Sequence, residues 1–222
     1  MVELSGALPR GSSPNATYLL PRDTLVVSGP DRKAWLDGLV TCSVSVVEVG
    51  AGAYGLLLTK QGKIATDLFL VDDGDTLFVG VAPGRGDAVR ELLDRYLVME
   101  DAELGVPSAA LSWHFVTAGD APAAALTHGK LRLSELQALV AVVPEEPTPA
   151  SAQSAEQLAA LWARHGLGVF GVDFGERDNP HEASLDRIAI SWTKGCYLGQ
   201  EVVCMQDMRG NCLLYTSDAA DE

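Results

Sequence analysis

The chain has 222 residues, 47% of them hydrophobic, which is enough for one large globular domain or two small ones. Its formal net charge of −14, from 16 basic and 30 acidic side chains, repels phosphate backbones and argues against strong nucleic-acid binding. No apolar run reaches the roughly 18–20 residues of a membrane-spanning helix, and the first ten residues lack the pattern of a secretion signal. We therefore expect a cytoplasmic protein that does not cross a membrane.

The first part of the chain predicts an α+β lobe over residues 21–105, preceded by a loosely held, Gly-, Ser- and Pro-rich segment at residues 1–20. Alternating apolar residues and turn signals predict strands at residues 24–28, 53–59, 63–71, 76–82 and 100–104. Helical periodicity predicts a helix that begins after Gly29-Pro30-Asp31 and another over residues 87–98. The order strand–helix–strands–helix–strand is typical of a ferredoxin-like, split βαβ unit.

A second α+β lobe is predicted over residues 106–211. Strands are expected at residues 111–117 and 139–143, with a short helix at 121–127. The proline-rich residues 144–150 predict a stiff, exposed connection, and residues 154–165 predict a helix that Gly166 ends.

The last eleven residues, 212–222, read C-L-L-Y-T-S-D-A-A-D-E, which resembles the translation of a transposase-type sequencing-library adapter. We therefore expect the genuine sequence to run only to about Asn211, with 212–222 as an artefact and the chain as a fragment. Excluding the three acids of this tail changes the net charge from −14 to −11. The alternative is a real acidic tail.

The four cysteines, Cys42, Cys196, Cys204 and Cys212, have no spacing typical of a metal site. We therefore predict no metal ligands, and any connection to iron–sulfur chemistry would be indirect. Scattered thiols of this kind are typical of a cytosolic protein.

The strongest functional signal is the stretch K-G-C-Y-L-G-Q-E at residues 194–201. Two glycines bracket a thiol and an aromatic ring, and glycine permits tight turns and close approach to a ligand. Lys194, or the N-terminus of a helix just beyond Gly199, would favour the thiolate form of Cys196. The residues alone leave two interpretations open: a reactive or ligand-contacting loop, and a glycine-rich turn with a buried cysteine.

This stretch resembles the signature of the YgfZ family, folate-binding relatives of the glycine-cleavage aminomethyltransferase. Further segments follow the pattern of the family in the correct order, so the resemblance covers nearly all of residues 20–211. They are Gly29-Pro30-Asp31, residues 35–39, 59–64 and 67–68, the P-x-E-A segment at residues 180–183, and the R-G pair at 209–210.

The resemblance implies an aminomethyltransferase-like, three-lobed folate-binding fold, of which this chain would lack the C-terminal β-barrel lobe. It implies tetrahydrofolate as cofactor and Cys196 as the catalytic or redox thiol. Asp67 and Glu182 become candidates for the folate pocket, because a carboxylate pairs well with the N–H donors of a pterin edge. The remaining candidate folate-binding residues belong to the loop: Lys194, Gly195, Tyr197, Gly199, Gln200 and Glu201.

Three functions follow as hypotheses. The first is a tetrahydrofolate-binding accessory protein that supports the assembly or repair of iron–sulfur client enzymes and tRNA modification. The second is a glycine-cleavage-type aminomethyltransferase, which Thr66 disfavours because such enzymes tend to carry an acid there. The third is an interaction module that has lost its pocket. Whether the protein is an enzyme stays open.

Overall fold

The computed structural model describes residues 17–145 and 152–209. The predictions for residues 1–16 and 146–151, for the R-G turn at Gly210 and for the adapter-like tail lie outside the described residues. The strands are β1 Thr17–Leu20, β2 Asp23–Ser28, β3 Gly50–Leu58, β4 Ile64–Asp72, β5 Leu77–Val81, β6 Glu103–Gly105, β7 Leu111–Val116, β8 Thr127–Leu133 and β9 Leu136–Pro144. The helices are α1 Arg32–Asp37, α2 Gly86–Asp94, α3 Ala155–Arg164 and α4 Gln200–Arg209.

The nine strands of the described residues form one sheet in the order β1-β7-β9-β8-β3-β4-β5-β2-β6. From β2 to β6 the connectivity is that of the predicted ferredoxin-like unit: β2 lies between β6 and β5, and β5 pairs with β4, each pair being antiparallel. β3 is an additional strand on the free side of β4. The split βαβ pattern predicted for the first part of the chain is therefore confirmed.

The second half of the sheet contains β1, β7, β9 and β8. The helix predicted over residues 121–127 is wrong: the segment is turn and coil, and Thr127 already begins β8. An alanine-rich stretch this short, with Pro122 inside it, cannot hold an isolated helix. Residues 17–20, predicted to be part of a loosely held segment, form β1 and pair with β7. The division into lobes at residue 105 stays a prediction.

The sheet folds back on itself, so that its two halves face each other across the main core. Trp113 of β7 lies against β5 so closely that a side chain at Gly80 would overlap its ring, and its indole N–H donates to Thr24 Oγ1 at 2.9 Å. Helix α3 closes this core with Leu158, Leu161 and Trp162. A second core lies on the outer face of the first half, beneath α1 and α2. Within the described residues, no helix has the length and apolar character needed to cross a membrane.

The seam between the halves is a short parallel pairing of β3 with β8, in which Gly50 faces Gly129 and Ala51 faces Lys130. The backbones approach so closely that a Cβ at Gly129 would lie 2.5 Å from the amide nitrogen of Gly52. Only glycine permits this approach, since any larger side chain would push the strands apart.

Candidate functional site

Lys194, the first residue of the signature stretch, binds to the carboxyl end of α1 and to the residues that follow this helix. Its ammonium group donates to the backbone carbonyls of Asp37, Val40 and Cys42 at 2.5, 2.9 and 2.8 Å. The Asp37 carboxylate lies 3.3 Å away, and the lysine side chain is only 3% exposed. Burial lowers the pKa of Lys194, and the nearby Asp37 carboxylate opposes this effect. Lys194 is therefore an anchor of the loop.

The segment before the loop is bonded to the same region. Thr41 Oγ1 donates to the carbonyl of Ala189 at 2.6 Å and accepts the amide of Leu56 at 2.8 Å. The amide of Ser191 donates to the carbonyl of Thr41 at 2.9 Å. Residues 189–194 are thus fixed to the α1–β3 connection along their length.

The end of the stretch packs against the turn between β3 and β4. Gly199 has φ +79°, and a Cβ there would lie 2.5 Å from the carbonyl oxygen of Thr59. Gly62, in that turn, has φ +73°, and a Cβ there would likewise overlap the side chain of Val202 on α4. Two segments singled out by the family resemblance, residues 59–64 and 194–201, therefore dock on each other through glycines.

Cys196 and Tyr197 face opposite environments. Cys196 is an exposed, free thiol, and Gly195 beside it is also exposed. Tyr197 is buried in the main core, and burial raises its pKa to about 12. The ring of Tyr197 is consequently a packing element, whereas the thiol of Cys196 is open to a reaction partner.

Helix α4 begins at Gln200, immediately after Gly199, which confirms the helix start that the sequence indicated. Gln200 is half-buried, and its backbone N–H donates to the carbonyl of Tyr197 at 3.2 Å. Glu201 is exposed in the first turn, where a negative charge is favourable to the helix dipole.

Glu182 lies next to this region but serves a local turn. Its carboxylate accepts the backbone amide of Asn179 at 2.9 Å, while Asn179 Oδ1 accepts the amides of His181 and Glu182, each at 3.1 Å. The Lys63 ammonium, at the start of β4, lies 3.5 Å from the same carboxylate. The Glu182 carboxylate is half exposed, so one of its oxygens is accessible to a ligand.

Asp67 lies elsewhere, fully buried in the middle of β4. Both of its carboxylate oxygens accept from the guanidinium of Arg22, at 2.5 and 2.9 Å, and Tyr54 donates to one of them at 3.3 Å. The Arg22 guanidinium also stacks 4.9 Å from the ring centre of Phe69. Arg22 and Tyr54 were missed by the sequence analysis, because 45 residues separate Arg22 from its partner.

The structure therefore brings Glu182 and the end of the loop, at Gly199, to the β3–β4 turn, and it places Asp67 in a separate buried network. Thr66 is buried, with its hydroxyl donating to the Asp67 carbonyl at 2.8 Å and accepting the Ala82 amide at 3.1 Å. Among the described residues, no group of three or more His, Cys, Asp or Glu side chains could hold a metal ion.

The fold is similar to that of the glycine cleavage system aminomethyltransferase T from Bartonella henselae. The TM-score is 0.69, with 12% sequence identity, over 88% of this chain and 64% of that one. The two proteins share an aminomethyltransferase-like α+β fold. No family model matches the sequence.

Curated relatives narrow this class. The chain is 26% identical to the iron-sulfur cluster assembly factor IBA57 homolog, mitochondrial, of Chaetomium globosum, covering 98% of this chain and 62% of that protein. It is 25% identical to the tRNA-modifying protein YgfZ of Photobacterium profundum, covering 84% and 64% respectively. The chain is similar to proteins of the YgfZ and IBA57 type, and it spans about three fifths of the length of these relatives.

Proposed function

We propose that the protein is a tetrahydrofolate-binding accessory factor that supports iron–sulfur client enzymes and tRNA modification. The observation that carries the proposal is the exposed thiol of Cys196 on a loop that Lys194, Gly199 and the Thr41 bonds hold in place. The similarity to relatives named for iron–sulfur cluster assembly and for tRNA modification supports the two parts of this proposed role. Cytoplasmic residence stays a prediction, since the fungal relative is mitochondrial by name.

The carboxylates Asp67 and Glu182 are the proposed folate contacts. The 2-amino and N3–H groups of a pterin form a fork of donors like the one that Arg22 presents to Asp67. Folate would therefore reach Asp67 by exchange with Arg22, while Glu182 would use its accessible oxygen.

A titration tests this part of the proposal. We expect tetrahydrofolate to bind saturably, as followed by tryptophan fluorescence and calorimetry. Asp67→Asn and Glu182→Gln should each weaken binding by roughly tenfold or more, the effect of losing a hydrogen bond to a charged group. Glu176→Gln, at an exposed acid paired with Arg85, is the matched control and should bind normally. Absence of binding by the unaltered protein would reject the folate role.

A complementation experiment tests the thiol. In a cell that lacks its own homologue, Cys196→Ser should fail to restore iron–sulfur enzyme activity. Cys204→Ser, at the half-buried cysteine on α4, should restore it. Full rescue by Cys196→Ser would show that the thiol has no chemical role.

The second candidate function is aminomethyl transfer from a lipoyl-bound intermediate to tetrahydrofolate, with release of ammonia. The shared fold favours it. Thr66 disfavours it, because its buried hydroxyl already makes two hydrogen bonds and this position supplies no acid for proton transfer with the folate nitrogens. Incubation with an aminomethylated lipoyl carrier and tetrahydrofolate decides the question, and lack of ammonia release would dismiss this candidate.

A further inference from the structure

A groove of about 370 Å³ lies between the β3–β4 turn and the end of helix α2. Its volume is in the range of small-molecule sites. Two of the side chains that line it are cationic and none is acidic, so on a chain with a net charge of −14 it is a local excess of positive charge. The lining residues are Thr59, Lys60, Gln61, Leu92, Arg95 and Tyr96.

Both cations of this groove are available to an incoming anion. Lys60 is exposed, and its ammonium lies 6.0 Å from the ring centre of Tyr96. Arg95 is paired with Glu91, one turn earlier on α2, at 2.7 Å, and these side chains are 66% and 74% exposed. A pair so exposed is weak because water screens it, so the Arg95 guanidinium can turn to a ligand at little cost.

The groove adjoins the signature stretch. Thr59, on its wall, touches Gly199, where a Cβ would lie 2.5 Å from the Thr59 carbonyl oxygen. Cys196 precedes Gly199 by three residues, which span at most about 11 Å. The exposed thiol of Cys196 is therefore within the length of a small molecule from the edge of the groove.

We propose that this groove binds an anionic group, a carboxylate or a phosphate, of the small molecule on which the Cys196 thiol acts. The proposal rests on the proposed chemical role of Cys196 and adds the charge of its substrate. An ammonium and a guanidinium suit such an anion, and the amide of Gln61 adds a further donor. Leu92 and Tyr96 offer an apolar wall to the rest of the molecule.

A solvated surface without a ligand is the competing account. Arg95 lies at the carboxyl end of α2, where a cation is favourable to the helix dipole. The two accounts differ in their dependence on salt. Added salt weakens the binding of an anion to the groove, but it relieves the repulsion of an anion by the acidic chain as a whole.

The first test measures how fast Cys196 reacts with two disulfides, the dianionic dithiobis(nitrobenzoate) and the neutral dithiodipyridine. In each reaction the thiolate attacks one sulfur of the reagent, the S–S bond breaks, and the other half leaves as a thiolate or thione. The full chain carries Cys204→Ser and Cys212→Ser, so that the remaining thiols are Cys196 and the buried Cys42. Each rate is divided by that of the same reagent with mercaptoethanol.

We expect the corrected rate with the dianionic reagent to exceed that with the neutral one by threefold or more, and this ratio to fall as salt is added. A ratio at or below one, or one that rises with salt, would overturn the proposal. Benzoate and phenyl phosphate, compared at equal ionic strength, should slow the dianionic reagent. The stronger competitor identifies the anionic group, and protection by neither would also overturn the proposal.

Charge substitutions locate the effect. Lys60→Gln and Arg95→Gln should each lower the ratio about threefold, as expected for an exposed charge contact. Arg90→Gln removes the same charge from an exposed position on the same helix, outside the groove, and should leave the ratio unchanged. An equal effect of Arg90→Gln would assign the ratio to net charge and overturn the proposal.

Failure of this proposal can be told apart from failure of the proposed function. Full rescue of cells by Cys196→Ser would reject the chemical role of the thiol. A ratio on the purified protein that does not respond to Lys60→Gln and Arg95→Gln would reject the groove alone.

Discussion

Arg22 and Lys194 are both buried cations, but they are satisfied in different ways. Arg22 is neutralised by one carboxylate, Asp67, in a two-bond pair inside the main core. Lys194 is held mainly by three backbone carbonyls after α1, with the partly exposed Asp37 carboxylate at 3.3 Å. In the first arrangement, another donor could replace Arg22 on the Asp67 carboxylate. The second arrangement depends on the path of the backbone.

This difference separates two kinds of candidate residue. A side-chain ion pair such as Arg22–Asp67 can exchange one partner for a ligand of the same shape and donor pattern. A lysine bound to backbone carbonyls has no free donor to offer and instead fixes the geometry of neighbouring residues. In the signature stretch, we therefore propose that the chemistry falls to Cys196 and that Lys194 supports it.

Removing Arg22 should have the largest effect on stability. Arg22→Ala leaves the Asp67 carboxylate buried and unpaired, which should cost about 3–5 kcal/mol of unfolding free energy in urea denaturation. The double variant Arg22→Ala/Asp67→Ala should recover much of this loss, because it removes the orphaned charge. A loss below about 1 kcal/mol in the single variant would contradict the account of a tightly coupled pair.

Removing Lys194 should have the next largest effect. Lys194→Met deletes hydrogen bonds from a charged donor to backbone carbonyls at the end of α1 and just after it, and we expect a loss of about 1.5–3 kcal/mol. Hydrogen exchange over residues 189–201 should become faster at the same time. Lys63→Met, which breaks an exposed ion pair with Glu182, is the control and should cost less than about 1 kcal/mol.

Asp72, at the end of β4, is a buried carboxylate that is satisfied both by side-chain cations and by a backbone amide. Burial by itself would raise its pKa, but the hydrogen bonds from Lys33 and the Gly74 amide, with the charges of Lys33 and Arg32, lower the pKa below its usual value. Its stabilisation is therefore present above about pH 4 and is lost as pH falls through the folded-state pKa.

Asp72→Asn should cost about 1–2 kcal/mol of unfolding free energy at neutral pH. In pH-dependent denaturation it should also flatten the acid limb, which is the fall of unfolding free energy at low pH. The estimate is low because the Lys33 side chain is partly exposed and can be solvated after the change. Asp75→Asn, at an exposed acid in the adjacent turn, should retain the acid limb. An unchanged limb in Asp72→Asn would show that other carboxylates cause it.

The titration of His114 should have the smallest effect on the free energy of unfolding. His114 is a buried base that burial keeps neutral. Burial lowers its pKa, and its Nε2 lies 3.2 Å from Ser112 Oγ. Below about pH 6.5 the unfolded chain binds a proton that the folded protein does not, so stability should fall by roughly 1 kcal/mol toward pH 5.5. His114→Gln should lose this dependence and His165→Gln, an exposed control, should keep it. The same slope in both variants would assign it elsewhere.

Much of the fold was predictable because its signals are local. The hairpin turns and the apolar face of residues 87–98 indicated most of the first unit, and Ser154 forms the capping box that begins α3. β8 was missed although T-H-G-K-L-R-L alternates, because the preceding alanines favoured a helix. β1 is four residues long, and its partner β7 lies more than 90 residues away, so no local pattern reveals it.

The residues of the candidate site could be named from the sequence, but their hydrogen bonds could not. The signature residues could be named from the sequence, yet the carbonyls that bind Lys194 precede it by more than 150 residues. Asp67 was singled out as a candidate folate contact, which stays a prediction, whereas Arg22 had no pattern around it. Such long-range polar pairs are set by the packing of distant strands, which periodicity does not encode.

The glycine seam between β3 and β8 also bears on how such a sequence can diverge. Side chains in the cores on either side can vary together, since an apolar core tolerates exchanges that conserve volume. At Gly129 and Gly52 the contact is backbone to backbone, so no neighbouring change can make room for even one methyl group. The two halves can therefore diverge separately, while positions 52 and 129 of the seam admit only glycine.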